Sequence, residues 1–174
     1  MSYNNEDIYC LDASAFITMH RFYSQKMMPE LWSHLESLFK ENRLYSHDVV
    51  YNEIVPKQGT MDDLAKWMSG YKKYFHSESQ RQMDLLSGIL AKFPKLINEE
   101  SEKDQADPYL IAMLVEMMEQ KGLFGNESEY VVVSTENERS PNKLPAACKY
   151  YDIRHLNLFD FFEANEFDFK VGKK

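Results

Sequence analysis

A chain of 174 residues with 44% hydrophobic and 14% aromatic content has the size and apolar mass of one folded domain, not of a disordered tail. Twenty Lys and Arg against 28 Asp and Glu leave a net charge of −8, which disfavours a broad, non-specific grip on nucleic acid. It does not exclude a nuclease, because clustered acids can be ligands of a neutralising cation.

Cys10 and Cys148 are the only cysteines, and no basic-then-apolar opening precedes them, so neither a disulfide framework nor a secretory leader is suggested. No apolar run approaches the roughly 20 residues that cross a bilayer. The expected setting is cytoplasmic, without a membrane partner.

In chain order, residues 7–11 read as a short buried strand that ends at Asp12, and Ser14, Ala15, Phe16 and Ile17 as a turn beyond it. Leu31, Leu35, Leu38 and Phe39 predict a helix over 29–42, with Pro29 in its first turn, feeding a brief strand at 43–45. Residues 47–54 are a shorter helix candidate with Asp48 in the first turn. Met61, Leu64, Met68, Tyr71 and Phe75 stripe the next helix, and Met83, Leu86, Leu90 and Phe93 another, closed by Pro94.

A polar loop is expected over 98–105. Asp107-Pro108 then opens a helix whose face is Leu110, Ile111, Leu114, Val115 and Met118, stopped at Gly122. Residues 130–134, with three consecutive valines, read as a buried strand. A helix at 144–151, a strand at 154–156 and a helix at 158–165 follow, then a frayed tail at 170–174. Strands alternating with helices imply an α/β domain spanning 1–174, with a mostly parallel sheet of about four strands covered on both faces. Its core is expected over about 7–162, with a helical pair inserted at about 60–97.

Ligands of open α/β sheets bind beyond the carboxyl ends of strands, which singles out Asp12 and Glu136. Asp12 alone could be a mere cap of the turn after it, and Asp107 before Pro108 is good capping chemistry too. Glu53 falls on the side of its short helix shared by Val49 and Val50, where an inward carboxylate needs a partner; a frayed, half-exposed helix end explains it equally well. Asp104, one turn before Asp107, is a second-tier candidate in a polar loop.

Taken together, Cys10-Leu-Asp-Ala-Ser14, Tyr51-Asn-Glu-Ile54, Ala106-Asp-Pro-Tyr-Leu-Ile-Ala112 and Val131-Val-Val-Ser-Thr-Glu136 form an ordered set that resembles the PIN-domain superfamily of metal-dependent nucleases. It is most similar to the bacterial PIN-like branch known as DUF4411, whose relatives include VapC-like toxin ribonucleases. The resemblance implies a PIN-like fold, with Asp12 as first acid, Ser14 as the hydroxyl residue two positions on, Glu53 as second acid and Asp107 as third. Superfamily members commonly place an Asp after a Thr beyond the later strand; here the loop reads Thr135-Glu-Asn-Glu138, so Glu136 and Glu138 both stand as the fourth acid. The resemblance further implies Mg²⁺ or Mn²⁺ held by these acids, an RNA substrate, a cognate antitoxin and a homodimer.

Arg139 and Lys143, in the loop after Thr135, are the substrate-contact candidates. Lys57, Lys72, Lys73 and Arg81 among Trp67, Tyr71 and Tyr74 could form an RNA-facing strip, or simply be solvated charges beside a core stripe. The five histidines show no zinc spacing, and neither a Gly-rich phosphate loop nor a GxSxG elbow is present. Two alternatives remain: a PIN-like module with a decayed site that binds protein partners, and an acid-dependent phosphatase, which the serine at position 14 disfavours.

Overall fold

Ile8–Leu11 forms β1, and Tyr9, Cys10 and Leu11 are each at most 1% exposed. Successive strand side chains point to opposite faces, so an unbroken buried run means a sheet covered on both sides. Val131, Val132 and Val133 repeat the pattern in β4, Tyr130–Val133, each fully buried valine contributing about 1.5–3 kcal/mol. The computed structural model describes residues 7–98, 100, 105–121 and 128–167. Gly122, Asp104 and the 170–174 tail lie outside them.

β1 pairs on one side with β2, Leu44–His47, through Tyr9 opposite Leu44, and on the other with β4, through Leu11 opposite Val133. Outside these lie β3, Phe75–His76, and β5, Arg154–Leu156. All pairings are parallel and the order is β3-β2-β1-β4-β5. The chain winds outward from β1 to β3 and then resumes on the opposite side of β1, so the winding reverses between β1 and β4. Sites in open α/β sheets form beyond the carboxyl ends of strands at such a reversal.

The α/β sheet flanked by helices is as expected, but among the described residues it has five strands where about four were predicted. The extra one is β3, in the segment predicted as purely helical. Helix α4, Asp63–Ser69, ends at Gly70, and a 3₁₀ turn, Lys72–Tyr74, brings Tyr71 and Tyr74 back to stack on Phe39 at 5.2 and 4.9 Å. Phe75, expected on a helix, thereby reaches the sheet edge beside Ser46.

The turn expected after Asp12 is instead helix α1, Ala13–Phe22. Its buried side is Ala13, Ala15, Phe16 and Met19, and two alanines against a sheet do not read as an apolar stripe. α2, Pro29–Lys40, buries Leu31, Trp32, Leu35, Leu38 and Phe39. α5, Gln80–Lys92, is rotated from its predicted face: Met83 is 47% exposed, while Gln82, Leu86 and Ile89 are buried.

The remaining helices among the described residues are α3, Asp48–Ile54; α6, Ala106–Lys121; α7, Leu144–Tyr150; and α8, Leu158–Ala164. α6 buries more than the predicted face, since Ala112 and Met113 are enclosed as fully as Leu110 and Ile111. Among the described residues no helix is long and apolar enough to cross a membrane.

Candidate active site

Asp12 follows β1 directly and begins α1. Its Oδ1 accepts the Ala13 N–H at 2.6 Å, and its Oδ2 accepts the Ser14 N–H at 3.3 Å and the Ser14 hydroxyl at 2.7 Å. The capping reading is therefore correct, and it leaves lone pairs available for a ligand. Asp12 is 6% exposed, and burial pushes its carboxyl above the usual range against the opposing pull of those donors. The Ser14 Oγ also accepts the Thr135 N–H at 3.1 Å, which ties the loop after β4 to the acid after β1. Ser14 and Thr135 thus hold the two strand ends together.

Glu53, near the end of α3, reaches across to α6, where its Oε1 accepts the Ala106 N–H at 3.0 Å. This corrects the assignment of helix-capping chemistry to Asp107: the carboxylate that meets the first backbone N–H of α6 comes from α3, and Asp107 lies within the first turn. Much of the Glu53 side chain is exposed, yet desolvation of its carboxyl, reinforced by the charge of Asp12, outweighs the Ala106 bond and raises its pKa.

Asp107 is where these groups meet. Its carboxyl is pushed up to about 8, first by burial, then by the charges of Asp12, Glu136 and Glu53, with Lys143 opposing. Carboxylates from three other segments, Asp12, Glu53 and Glu136, therefore all act on Asp107 across the reversal of the sheet. Among the described residues no three His, Cys, Asp or Glu side chains are grouped closely enough to form a ready-made metal site. The oxygen-only donor set and the unneutralised repulsion at Asp107 nevertheless fit a hard divalent cation, with Asp12, Glu53, Asp107 and Glu136 as the residues that could hold it.

Glu136 and Glu138 separate. Glu136 is half-buried, and its Oε2 accepts the Leu144 N–H at the start of α7 at 2.9 Å. Glu138 is exposed and instead lies 3.8 Å from Nδ1 of His155. Lys143, just before α7, is the cation that acts on Asp107; Arg139 is exposed on the loop, its N–H bonded to Asn137 Oδ1 at 2.9 Å. Asp104 lies outside the described residues.

The proposed basic strip is largely occupied otherwise. Arg81 is bound to Glu119 at 2.6 Å, Lys72 and Lys73 sit over Tyr51 and Tyr74, and Trp67 and Tyr71 pack in the aromatic cluster around Phe39. Sequence reasoning passed over Ser134 and His155, which bond to each other at 2.8 Å at the ends of β4 and β5. The His155 side chain is 7% exposed. Its place within the strand expected at 154–156 was the available signal.

No curated protein matches the chain. Among solved structures it is similar to that of VapBC2 from Rickettsia felis bound to a DNA fragment from their promoter, at 14% identity and a TM-score of 0.49, over 86% of this chain and 98% of that one. The model of DUF4411, a domain of unknown function, matches residues 9–169, and the chain belongs to that family.

Proposed function

We propose that the protein is a metal-dependent nuclease that hydrolyses phosphodiester bonds in RNA. The observation that carries this reading is the mutual influence of Asp12, Glu53, Asp107 and Glu136 at the carboxyl end of the sheet, in the order in which the PIN superfamily places its acids. A bound Mg²⁺ or Mn²⁺ would supply an activated water and neutralise charge on the phosphate oxygens.

The chain's own residues do the rest. Ser14 fixes the Asp12 carboxylate through its hydroxyl and backbone N–H, so that the remaining lone pairs of Asp12 face the site. The Ala106 N–H holds Glu53, and Leu144 holds Glu136, each through one oxygen, which leaves the second oxygen of each carboxylate for ligation. Asp107, whose proton is held up to about pH 8 by burial and by its acidic neighbours, would have to give up that proton to ligate a cation. Lys143 is placed to meet a phosphate oxygen beside Asp107, while Arg139, further along the loop, would contact the flanking backbone. On the same reading, a growth-inhibiting toxin covered by a cognate antitoxin is the biological role, with a homodimer as the assembly.

The test is cleavage of tRNA, mRNA and single-stranded DNA with Mn²⁺, Mg²⁺ or EDTA. Cutting of RNA that EDTA abolishes and that Asp12→Asn lowers by about 100-fold or more is expected. Cutting that survives Asp12→Asn overturns the assignment. Absence of both cutting and metal binding favours a decayed, partner-binding module.

A further inference from the structure

The loop after β4 offers two acids, and the surrounding contacts distinguish them. Ser134, fully buried, accepts the Glu136 N–H on its Oγ at 3.2 Å, and the same Oγ lies 2.8 Å from His155 Nε2. A serine hydroxyl has one proton and two lone pairs. With one lone pair given to Glu136 N–H, its proton can pass to the bond with Nε2, which places the imidazole proton on Nδ1. Nδ1 is buried and, among the described residues, has no partner within hydrogen-bond distance; the carboxylate facing it is Glu138 Oε1, at an ion-pair distance of 3.8 Å. The imidazole therefore reaches the loop on both sides of Glu136, at Ser134 and at Glu138.

We propose that His155 is a positioning residue: by holding Ser134 and Glu138 it turns Glu136, and not Glu138, toward Asp12 and Asp107 as the fourth acid of the site. This deepens the nuclease reading and rests on it. Two further bonds keep Glu136 in that direction, one from Leu144 N–H to its Oε2 and one from Thr135 N–H to Ser14. Glu138, drawn to the imidazole from an exposed position, is thereby kept out of the cluster. The Thr135-Glu-Asn-Glu138 loop thus offers two acids, and a strand-borne histidine selects between them.

Amide exchange by NMR tests the clamp without reference to metal, and Mn²⁺ calorimetry tests its consequence. In His155→Gln, exchange at Glu136 and Leu144 should accelerate by about tenfold relative to Val132 in the core. Mn²⁺ affinity should fall by about tenfold, the usual size of a supporting-residue effect. In a Glu136→Gln background the same His155 change should cost no further affinity.

Equal acceleration at Val132, or an equal affinity loss in both backgrounds, overturns the proposal and leaves the nuclease reading intact. If the wild-type chain binds no Mn²⁺, the nuclease reading falls and the exchange pattern alone decides whether His155 clamps the loop. Should His155→Gln fail to fold, the exposed change Glu138→Gln must reproduce the local acceleration at Glu136 by about two- to threefold, and its absence overturns the clamp.

Discussion

With its carboxyl pushed up to about 8, Asp107 stays protonated through the neutral range unless a cation offsets the charges of Asp12, Glu53 and Glu136 around it. In the unfolded chain the same group titrates near 4. The folded state thus holds the proton more tightly, and the fold loses stability as pH rises from about 4 to about 8, with no further loss above that. Asp107→Asn removes the titration. Urea melts in EDTA should show the variant gaining on the wild type across that window, to an advantage of about 1 kcal/mol or more at pH 9. An advantage that is flat with pH would mean that the acids do not repel one another in the folded protein. The same residue shows what the sequence could and could not say. Its place in an ordered set of acids was legible, but the chemistry expected of it as a helix cap belongs to Glu53, because the contact to Ala106 is made by a residue 53 positions before Ala106 in the chain.

Elements are joined here by buried polar links as well as by apolar packing, and the longest such link runs from the end of β2 to α6. His47, wholly buried, accepts the Val49 N–H on Nδ1 at 3.1 Å, so its proton sits on Nε2 and is donated to Gln82 Oε1 at 3.1 Å. Gln82 in turn donates to Glu116 Oε2 at 2.7 Å, and the Ser79 hydroxyl donates to Glu116 Oε1 at 2.7 Å. This chain fixes α3, which carries Glu53, against α6, which carries Asp107. Gln82→Leu would leave His47 Nε2 without its acceptor and Glu116 Oε2 without its donor, and should lower stability by about 2–3 kcal/mol in a denaturant melt. A change below about 0.5 kcal/mol would show the link to be dispensable. Gln82 also explains why the face of α5 was misread: a buried amide takes the position that an apolar stripe would occupy, and Met83 is displaced to solvent. α1 and β3 were missed for related reasons. The small alanines of α1 favour a helix but leave no stripe of large apolar side chains to read, and a two-residue strand has no periodicity to detect. The valine run of β4 and the Pro29 and Asp107-Pro108 helix starts were legible because each is a strong local preference that the tertiary structure leaves unopposed.

At the scale of the whole molecule, the two cysteines measure how tightly the sheet is closed. Cys10 in β1 and Cys148 in α7 are both fully buried, and burial holds each thiol above its ordinary value; Cys148 is raised further by Cys10 and by the charges of Asp107 and Glu136. Neither should react with a thiol reagent in the native state, because the thiolate is both inaccessible and disfavoured. Labelling of the two should proceed at one common rate that slows as the protein is stabilised, as required if only global opening exposes them. Rapid labelling of Cys148 alone would show that α7 opens by itself and that the site is formed only part of the time.

The sheet is bounded by β3, of two residues, and β5, of three. A parallel sheet closed on both faces is still open at its margins, where unpaired backbone groups can recruit a foreign strand. Margins this short give an incoming segment few places to bond, and far fewer than a strand of ordinary length would. By ending the sheet in two residues, the segment between α3 and α6 leaves few open backbone bonds beside the valine-rich interior, a margin of the kind that limits edge-to-edge association.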